Sequence, residues 1–161
     1  MSEIIYGDDD VKSVSVEILD WFNQLTLTDA LASFGLTYTD ETKTGTILPF
    51  KPLEDVAFLK RKFSLQSDGT YLAPMDLENV LEITNWIRGK AVRSATLENC
   101  EQTIMELSLH PKVVYEYWSA RIREELAAVG LNISVPTYYE QMEAYRYNRD
   151  QYARIEYVPL W

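Results

Sequence analysis

The chain has 161 residues, 47% of them hydrophobic and 25% charged, a composition that argues against a disordered chain. Its single cysteine, Cys100, excludes an internal disulfide and suits a reducing compartment, and no stretch approaches the roughly 18 apolar residues of a membrane span. The formal net charge of −10 disfavours nucleic acid binding over the whole surface, because phosphate contacts need lysine and arginine.

The first residues predict a β-hairpin. Residues 2–6 form an apolar run that favours a strand, and residues 11–16 alternate valine with polar side chains. The turn Gly7-Asp8-Asp9-Asp10 lies between them, and glycine followed by aspartate is a strong tight-turn signal. This segment therefore predicts two strands with carboxylates at their junction.

A short helix is predicted after the hairpin. Thr26 or Thr28 is the candidate N-cap, because a threonine oxygen accepts a hydrogen bond from a free backbone N–H group. Gly35 is the candidate C-terminal residue. Residues 36–39 then favour an extended segment, and residues 40–49 favour a polar loop.

The next stretch combines β-prone and basic residues. Residues 56–63 predict a strand, residues 66–69 a turn and residues 71–74 a returning strand. Between positions 43 and 62 only Glu54 and Asp55 are acidic. The basic residues of that interval are Lys43, Lys51, Lys60, Arg61 and Lys62. A local contact with phosphates is therefore compatible with an acidic chain.

Helical patterns dominate after residue 75. The predicted helices cover residues 77–85, 96–109, 112–128 and 137–145, with Asp76, Thr96 and Pro136 at helix starts and Gly130 after the third helix. The remainder to residue 161 is expected to be an extended tail. This change predicts an α+β chain with a mixed region at 1–65 and a helical region at 66–161.

Tyr6-Gly7-Asp8-Asp9 is the sharpest chemical feature of the chain. A tight turn brings neighbouring carboxylates into a small volume, and a divalent cation relieves their mutual repulsion. Mg²⁺ favours carboxylates together with substrate phosphates. An ordinary acidic surface turn is the alternative, since glycine and aspartate are common in turns.

Three segments in order resemble motifs of picornavirus-like RNA-dependent RNA polymerases, in particular the dicistrovirus and iflavirus type. Residues 4–15 resemble motif C, residues 35–43 (Gly-Leu-Thr-Tyr-Thr-Asp-Glu-Thr-Lys) resemble motif D, and residues 58–63 (Phe-Leu-Lys-Arg-Lys-Phe) resemble motif E. Residues 73–78 and 85–88 are similar to the start of the thumb in these enzymes. The resemblance covers nearly the whole chain.

The resemblance implies a partial polymerase palm followed by an all-helical thumb. The palm part would contain a motif C hairpin, a motif D helix and a motif E hairpin. Asp8 and Asp9 match the metal-binding pair, which implies two Mg²⁺ ions, or Mn²⁺, with Asp8 as the main ligand. Asp10 stands where the family often has asparagine, so its role is open.

Three basic residues also match family positions. Lys43 matches the motif D lysine, which is thought to protonate the pyrophosphate leaving group as a general acid. Lys60 and Arg61 match the motif E pair near the primer strand, where they would contact backbone phosphates without reading sequence. The alternative for Lys43 is an ordinary loop lysine, and the alternative for Lys60 and Arg61 is a solvated strand face.

The implied partners are template and primer RNA, nucleoside triphosphates and the rest of a polymerase or polyprotein. The implied location is the host cell cytoplasm, at membrane-associated replication complexes. The resembling enzymes also need a motif A aspartate, a motif B Ser-Gly loop with asparagine, and basic fingers residues. None of these is found before Tyr6 or downstream, so we expect a fragment that is inactive alone.

A non-catalytic helical interaction module with an acidic turn is the alternative function. It is supported by the acidic charge and by the helical second half. A hairpin that places Asp8 and Asp9 at its tip, with the strand of residues 56–63 near the helical half, would favour the polymerase. A helix or a disordered tail there would favour the module.

Other notable side chains favour packing roles. Cys100 lies on an apolar helix face and is expected in the core, and His110 has no second histidine or cysteine nearby to share a metal. The aromatic residues expected to pack are Trp86, Trp118, Tyr138, Tyr139, Tyr145 and Tyr147. A stacking surface for single-stranded RNA is the alternative for these rings.

Overall fold

The computed structural model describes residues 2–43, 45, 47–87 and 91–153. The chain forms two compact units that divide after Ala73. In the described residues the first unit contains one α-helix and three small antiparallel sheets, and the second contains four α-helices. This mixture of helices and small sheets agrees with the predicted α+β class.

Strands β1 (Ser2–Tyr6) and β2 (Asp9–Ser13) form the predicted hairpin. Gly7 and Asp8 alone connect them, and Gly7 has a φ of +65°, which a two-residue turn with glycine first requires. The predicted turn was too long: Asp9 pairs with Tyr6, so Asp9 and Asp10 belong to β2. The strand also ends at Ser13 rather than at residue 16.

Helix α1 (Gln24–Ala32) begins after Asn23. The Asn23 side-chain oxygen accepts from the N–H groups of Leu25 and Thr26, and Thr26 Oγ1 accepts from the N–H group of Asn23. The predicted Thr26 or Thr28 cap was therefore wrong, because asparagine caps a helix at least as well as threonine. The helix ends at Ala32, two residues before the predicted end at Phe34, and Gly35 follows at a φ of +76°.

Strands β3 (Ala57–Phe58) and β4 (Arg61–Lys62) form a second hairpin. Leu59 and Lys60 occupy its turn with φ values of +52° and +63°, the pattern of a type I′ turn. The single strand predicted over residues 56–63 was wrong, because these two residues reverse the chain. A hairpin at this place is what the motif E resemblance implied.

Strands β5 (Ser64–Leu65) and β6 (Tyr71–Leu72) form the third hairpin. The predicted turn at residues 66–69 and the returning strand are both present, but β6 pairs with β5 and not with residues 56–63. This pairing keeps residues 66–73 in the first unit, which ends at Ala73.

The helices of the second unit are α2 (Leu77–Glu82), α3 (Val92–Leu107), α4 (Lys112–Ala128) and α5 (Tyr138–Ala153). A 3-10 turn at Ile83–Asn85 extends α2 to its predicted end, and α4 has both of its predicted ends. Gly130, at a φ of +71°, follows α4 as expected.

The predicted boundaries of α3 and α5 were wrong. Helix α3 begins at Val92, and Thr96 lies inside it with its hydroxyl donating to the Val92 carbonyl oxygen. Helix α5 continues to Ala153 because no glycine or proline interrupts residues 138–153. The extended tail is thus wrong for residues 146–153, and its remainder lies outside the described residues.

The core of the second unit lies between α2, α3 and α4. Val80, Ile104, Leu107 and Tyr115 are buried there, and the Tyr115 hydroxyl donates to the Pro136 carbonyl oxygen at 2.7 Å. The partly buried hydrophobic residues packed against this cluster are Met75, Leu77, Val114, Trp118, Ile122, Ile133, Val135 and Tyr138.

The aromatic packing predictions were partly confirmed. Trp118 and Tyr138 pack against the core, and Cys100 is buried as expected. Trp86, Tyr139 and Tyr147 are instead largely exposed, with Trp86 at 72%, and the Tyr139 ring contacts the Tyr138 ring and lies under Lys112 Nζ at 4.7 Å. In the described part of the chain, no helix has the length and apolarity to cross a membrane.

Candidate metal and catalytic site

Asp8 and Asp9 lie at the tip of the first hairpin. Asp8 occupies the turn, Asp9 opens β2, and both side chains are exposed. Because successive side chains of a strand point to opposite faces, Asp9 and Asp10 project to different sides of the hairpin. The tip therefore presents two carboxylates to solvent, while the third acid of the run has a different environment.

The donor chemistry of the tip fits a hard divalent cation. Carboxylate oxygens are ligands that Mg²⁺ and Mn²⁺ accept, and Mg²⁺ commonly takes only one or two carboxylates, with water and substrate phosphates completing its shell. No group of three His, Cys, Asp or Glu side chains suited to a metal is present in the described ranges. Asp8 and Asp9 can thus supply part of a ligand set.

Asp10 is engaged by two side chains. Its Oδ1 accepts from the Tyr38 hydroxyl at 2.6 Å, and its Oδ2 accepts from Lys12 Nζ at 2.5 Å. Lys12 also forms an ion pair with Glu3, the residue opposite it on β1. Asp10 and Lys12 are both half-buried, so water screens this cluster less than it screens the tip.

The pKa values in this cluster reflect burial and hydrogen bonding. Burial, reinforced by the hydrogen bond to Asp10, raises the pKa of Tyr38 to about 12. Burial of Lys12 opposes its charged form, but the hydrogen bonds to Asp10 and Glu3 outweigh it and raise the pKa of Lys12. The Tyr38 hydroxyl is therefore a protonated donor at neutral pH, and Lys12 is a cation.

Lys43 lies in an exposed loop at a φ of +52°. Its backbone N–H group donates to Asp40 Oδ1 at 3.0 Å. Asp40 is buried, and its other oxygen accepts from Thr42 Oγ1 at 2.7 Å and from Lys51 Nζ at 3.3 Å. The hydrogen bond from Thr42 is the main cause that lowers the pKa of Asp40 against the opposing effect of burial, helped by Lys51 and Lys43.

Lys60 and Arg61 differ in their surroundings. Lys60 is exposed in the turn between β3 and β4, whereas Arg61 is half-buried and its Nη1 donates to the Ala73 carbonyl oxygen at 2.9 Å. Arg61 therefore has a structural contact in addition to its predicted role. Lys60 is the member of the pair that is presented to solvent.

The described residues bring some of the predicted site residues together but not all of them. Tyr38 joins the segment after α1 to the first hairpin, and β2 lies in contact with β3. Among the described side chains, no hydrogen bond or ion pair joins Lys43 or Lys60 to Asp8 or Asp9. The described contacts therefore join Asp10 to Tyr38 and Lys12, but they do not join the predicted catalytic residues to one another.

Sequence reasoning missed Tyr38, Lys12 and Asp40. The alternation of β2 places Asp10 and Lys12 on one face, which was a usable signal for their contact. Tyr38 gave no comparable signal, because its partner Asp10 lies 28 residues away in the chain. The ion pair of Asp40 with Lys51, 11 residues away, gave none either.

A viral family model and several viral polyproteins match this chain. A family model described as viral RNA-dependent RNA polymerase matches residues 1–123. The chain is 40% identical over 143 residues to the replicase polyprotein of acute bee paralysis virus (strain Rothamsted), covering 86% of the chain and 8% of the polyprotein.

Two further relatives show the same pattern. The RNA1 polyprotein of cherry rasp leaf virus is 39% identical over 152 residues, covering 92% of the chain and 7% of that protein. The replicase polyprotein of Drosophila C virus (strain EB) is 33% identical over 163 residues, covering 98% of the chain and 9% of that polyprotein. The chain thus spans less than a tenth of the length of each of these relatives.

Proposed function

Because the chain belongs to the viral RNA-dependent RNA polymerase family, we propose that it carries the metal-binding carboxylates of an enzyme that copies RNA on an RNA template. The resemblance to picornavirus-like polymerases that the three motifs suggested is confirmed by the family match and the viral relatives. The observation that carries the proposal is the hairpin with Asp8 and Asp9 at its exposed tip.

The proposed reaction is nucleotidyl transfer. The 3′-hydroxyl of the primer attacks the α-phosphate of a nucleoside triphosphate, a phosphodiester bond forms, and pyrophosphate leaves. The family implies dependence on divalent metal ions in general. Two Mg²⁺ ions, or Mn²⁺, would offset the negative charge of the triphosphate and favour ionisation of the attacking hydroxyl.

Asp8 and Asp9 have the role of binding these ions, with Asp8 as the main ligand. Their exposure at a narrow turn leaves room for a triphosphate and water beside the carboxylates. Neither carboxylate has a protein cation as a hydrogen-bonded partner in the described residues, so each keeps its acceptor capacity for a ligand.

Lys43 has the proposed role of protonating the leaving pyrophosphate. Its side chain is exposed, and the contacts of Asp40 hold its backbone without engaging its ammonium group. Lys60 has the proposed role of contacting backbone phosphates of the primer strand, and its place at the tip of a tight turn supports this. Arg61 has the same proposed role, and it also donates a hydrogen bond to the Ala73 carbonyl oxygen.

We assign the first unit to a partial palm and the second to a thumb. The three hairpins and α1 of the first unit support the palm assignment, and the helical second unit supports the thumb.

The proposed partners are template and primer RNA, nucleoside triphosphates and the remaining parts of a longer polymerase or polyprotein. Large exposed apolar side chains in the first unit, including Trp21, Phe34 and Phe50, support a protein partner. The proposed location is the replication complex on host cytoplasmic membranes.

The alternative of a non-catalytic helical module has lost support. The acidic turn is the tip of a hairpin rather than part of a helix, and the family match spans both units.

Primer extension by a polymerase that contains this segment tests the proposal. We expect Asp8→Asn to lower the rate of nucleotide addition by at least about a hundredfold, because the metal loses an ionised ligand. Asp29→Asn, the same change at an exposed position of α1, is the matched control and should leave the rate unchanged. Equal rates for the two variants would contradict the proposal.

The 161-residue chain alone should not extend a primer under the same conditions, because the motif A aspartate, the motif B loop and the fingers residues are not found in its sequence. Extension by this chain that Asp8→Asn abolishes would show that those parts are dispensable.

A further inference from the structure

Asp10 is adjacent to the metal-binding pair but has different surroundings. Both of its carboxylate oxygens already accept strong hydrogen bonds, one from Tyr38 and one from Lys12. The Lys12 ammonium also offsets its charge. Binding a metal through Asp10 would break or weaken these contacts, so the carboxylate is better suited to holding protein groups than to holding an ion.

Tyr38 links this carboxylate to the loop that carries Lys43. Tyr38 is two residues before Asp40, and a fully extended residue spans at most about 3.6 Å, so its position restricts that of Asp40. Asp40 in turn holds the Lys43 backbone N–H group at 3.0 Å and the Thr42 hydroxyl at 2.7 Å. Only Thr39 lies between the two anchored side chains.

The path from the hairpin to Lys43 is therefore continuous. It runs from β2 through Asp10 to Tyr38, then along the backbone to Asp40, and from the Asp40 carboxylate to Lys43. Lys51, which donates to both Asp40 and Glu41, fixes the far side of the loop. Each link is a hydrogen bond or ion pair in which a charged group takes part, apart from the short backbone segment.

We propose that Asp10 and Tyr38 are positioning residues, which set the place of the Lys43 loop relative to the hairpin that carries Asp8 and Asp9. This rests on the proposed function, since it assumes that Lys43 and the two aspartates act on the same triphosphate. Asp10 is then not a metal ligand. Its contribution to the rate comes from the geometry of the groups that touch the substrate.

Amide exchange on the 161-residue chain tests the link without reference to catalysis. Tyr38→Phe removes only the hydroxyl group, and we expect faster exchange, by roughly tenfold or more, at residues 9–13 and at Lys43. Tyr71→Phe is the matched control, because Tyr71 also donates its hydroxyl to a carboxylate, Glu54, within the same unit. The control should leave those amides unchanged. Unchanged exchange in Tyr38→Phe would overturn the proposal.

Steady-state kinetics of a polymerase that contains this segment test whether the contact between Tyr38 and Asp10 affects the rate of nucleotide addition. Tyr38→Phe should lower kcat by about ten- to a hundredfold with little change in the KM for the nucleoside triphosphate, since misplacement rather than lost binding is responsible. Asp10→Ala should lower kcat to a similar degree, and the double variant Tyr38→Phe/Asp10→Ala should be no slower than either single variant.

Asp10→Asn separates positioning from metal binding. Asparagine still offers an oxygen to the Tyr38 hydroxyl, so a positioning role predicts that Asp10→Asn keeps more activity than Asp10→Ala. A rise in the Mg²⁺ concentration needed for half-maximal rate in Asp10→Asn, with Tyr38→Phe unaffected, would identify Asp10 as a ligand and overturn the proposal.

These outcomes differ from a failure of the proposed function. If Asp8→Asn keeps full activity, the proposed function fails, whereas the exchange result for Tyr38→Phe still decides whether the link exists. If Asp8→Asn is inactive and Tyr38→Phe behaves like the unchanged protein in kcat, only the positioning role fails.

Discussion

The Tyr38 hydroxyl donates to a carboxylate in a half-buried site, and both conditions favour its neutral form. Its pKa is therefore raised from the ordinary value of 10.0 to about 12. A group whose pKa is raised on folding adds stability at pH values below its unfolded pKa and loses that contribution as the pH rises through its folded pKa.

The free energy of unfolding should therefore fall between about pH 10 and about pH 12 because of Tyr38. Tyr38→Phe should show a smaller fall over the same interval, since phenylalanine does not ionise. Urea unfolding of both proteins at about pH 9 and about pH 11 measures the difference. An equal loss of stability in the two proteins would contradict the assigned environment of Tyr38.

The positions of single residues could be predicted where neighbouring residues determine the local fold. Asp8 and Asp9 could be placed at a hairpin tip because glycine and aspartate favour tight turns and the flanking residues favour strands. Tyr38 could not be paired with Asp10, because that contact depends on how the chain returns after α1. The roles of all the site residues, Asp8, Asp9, Lys43, Lys60 and Arg61, remain predictions.

The N-terminus of α5 depends on a reciprocal cap between Thr137 and Glu140. Thr137 Oγ1 accepts from the Glu140 N–H group at 3.3 Å, and Glu140 Oε2 accepts from the Thr137 N–H group at 2.7 Å. Thr96, which the sequence suggested as the start of a helix, instead lies inside α3. The two threonines therefore offer a direct comparison.

Thr137→Ala should lower the free energy of unfolding by about 1 kcal/mol, because a capping oxygen is lost. Thr96→Ala should change it by no more than a few tenths of a kcal/mol, because alanine favours a helix interior. Urea unfolding followed by circular dichroism provides both values. A Thr96→Ala loss as large as that of Thr137→Ala would show that the helix start is wrongly assigned.

Helix ends could be predicted from the sequence where a proline or a glycine marks them. Helix α4 lies between Pro111 and Gly130, and both of its ends were predicted. Helix α3 begins at Val92 without a side-chain cap, so a threonine later in the helix was mistaken for its start. The β3–β4 turn was missed because Leu59 and Lys60 adopt positive φ values that leucine and lysine rarely take.

At the scale of the whole molecule, the chain forms two compact units that divide after Ala73, and the pairing of β5 with β6 keeps residues 66–73 in the first unit. The division into functional domains after residue 65 remains a prediction. In the core of the second unit, Ile104 and Leu107 lie three residues apart in α3, a spacing that places both on one face of the helix. The assignment of the units to palm and thumb remains a proposal, because it concerns their arrangement in a longer polymerase.

Binding of a divalent ion at the hairpin tip is the most direct test of the account. We would titrate Mn²⁺ into the 161-residue chain and follow the paramagnetic broadening of its amide NMR signals. We expect Gly7, Asp8 and Asp9 to broaden first, and we expect Asp8→Asn but not Asp29→Asn to remove this broadening. Broadening at the tip no stronger than at the exposed Glu124 and Glu125 would contradict the account.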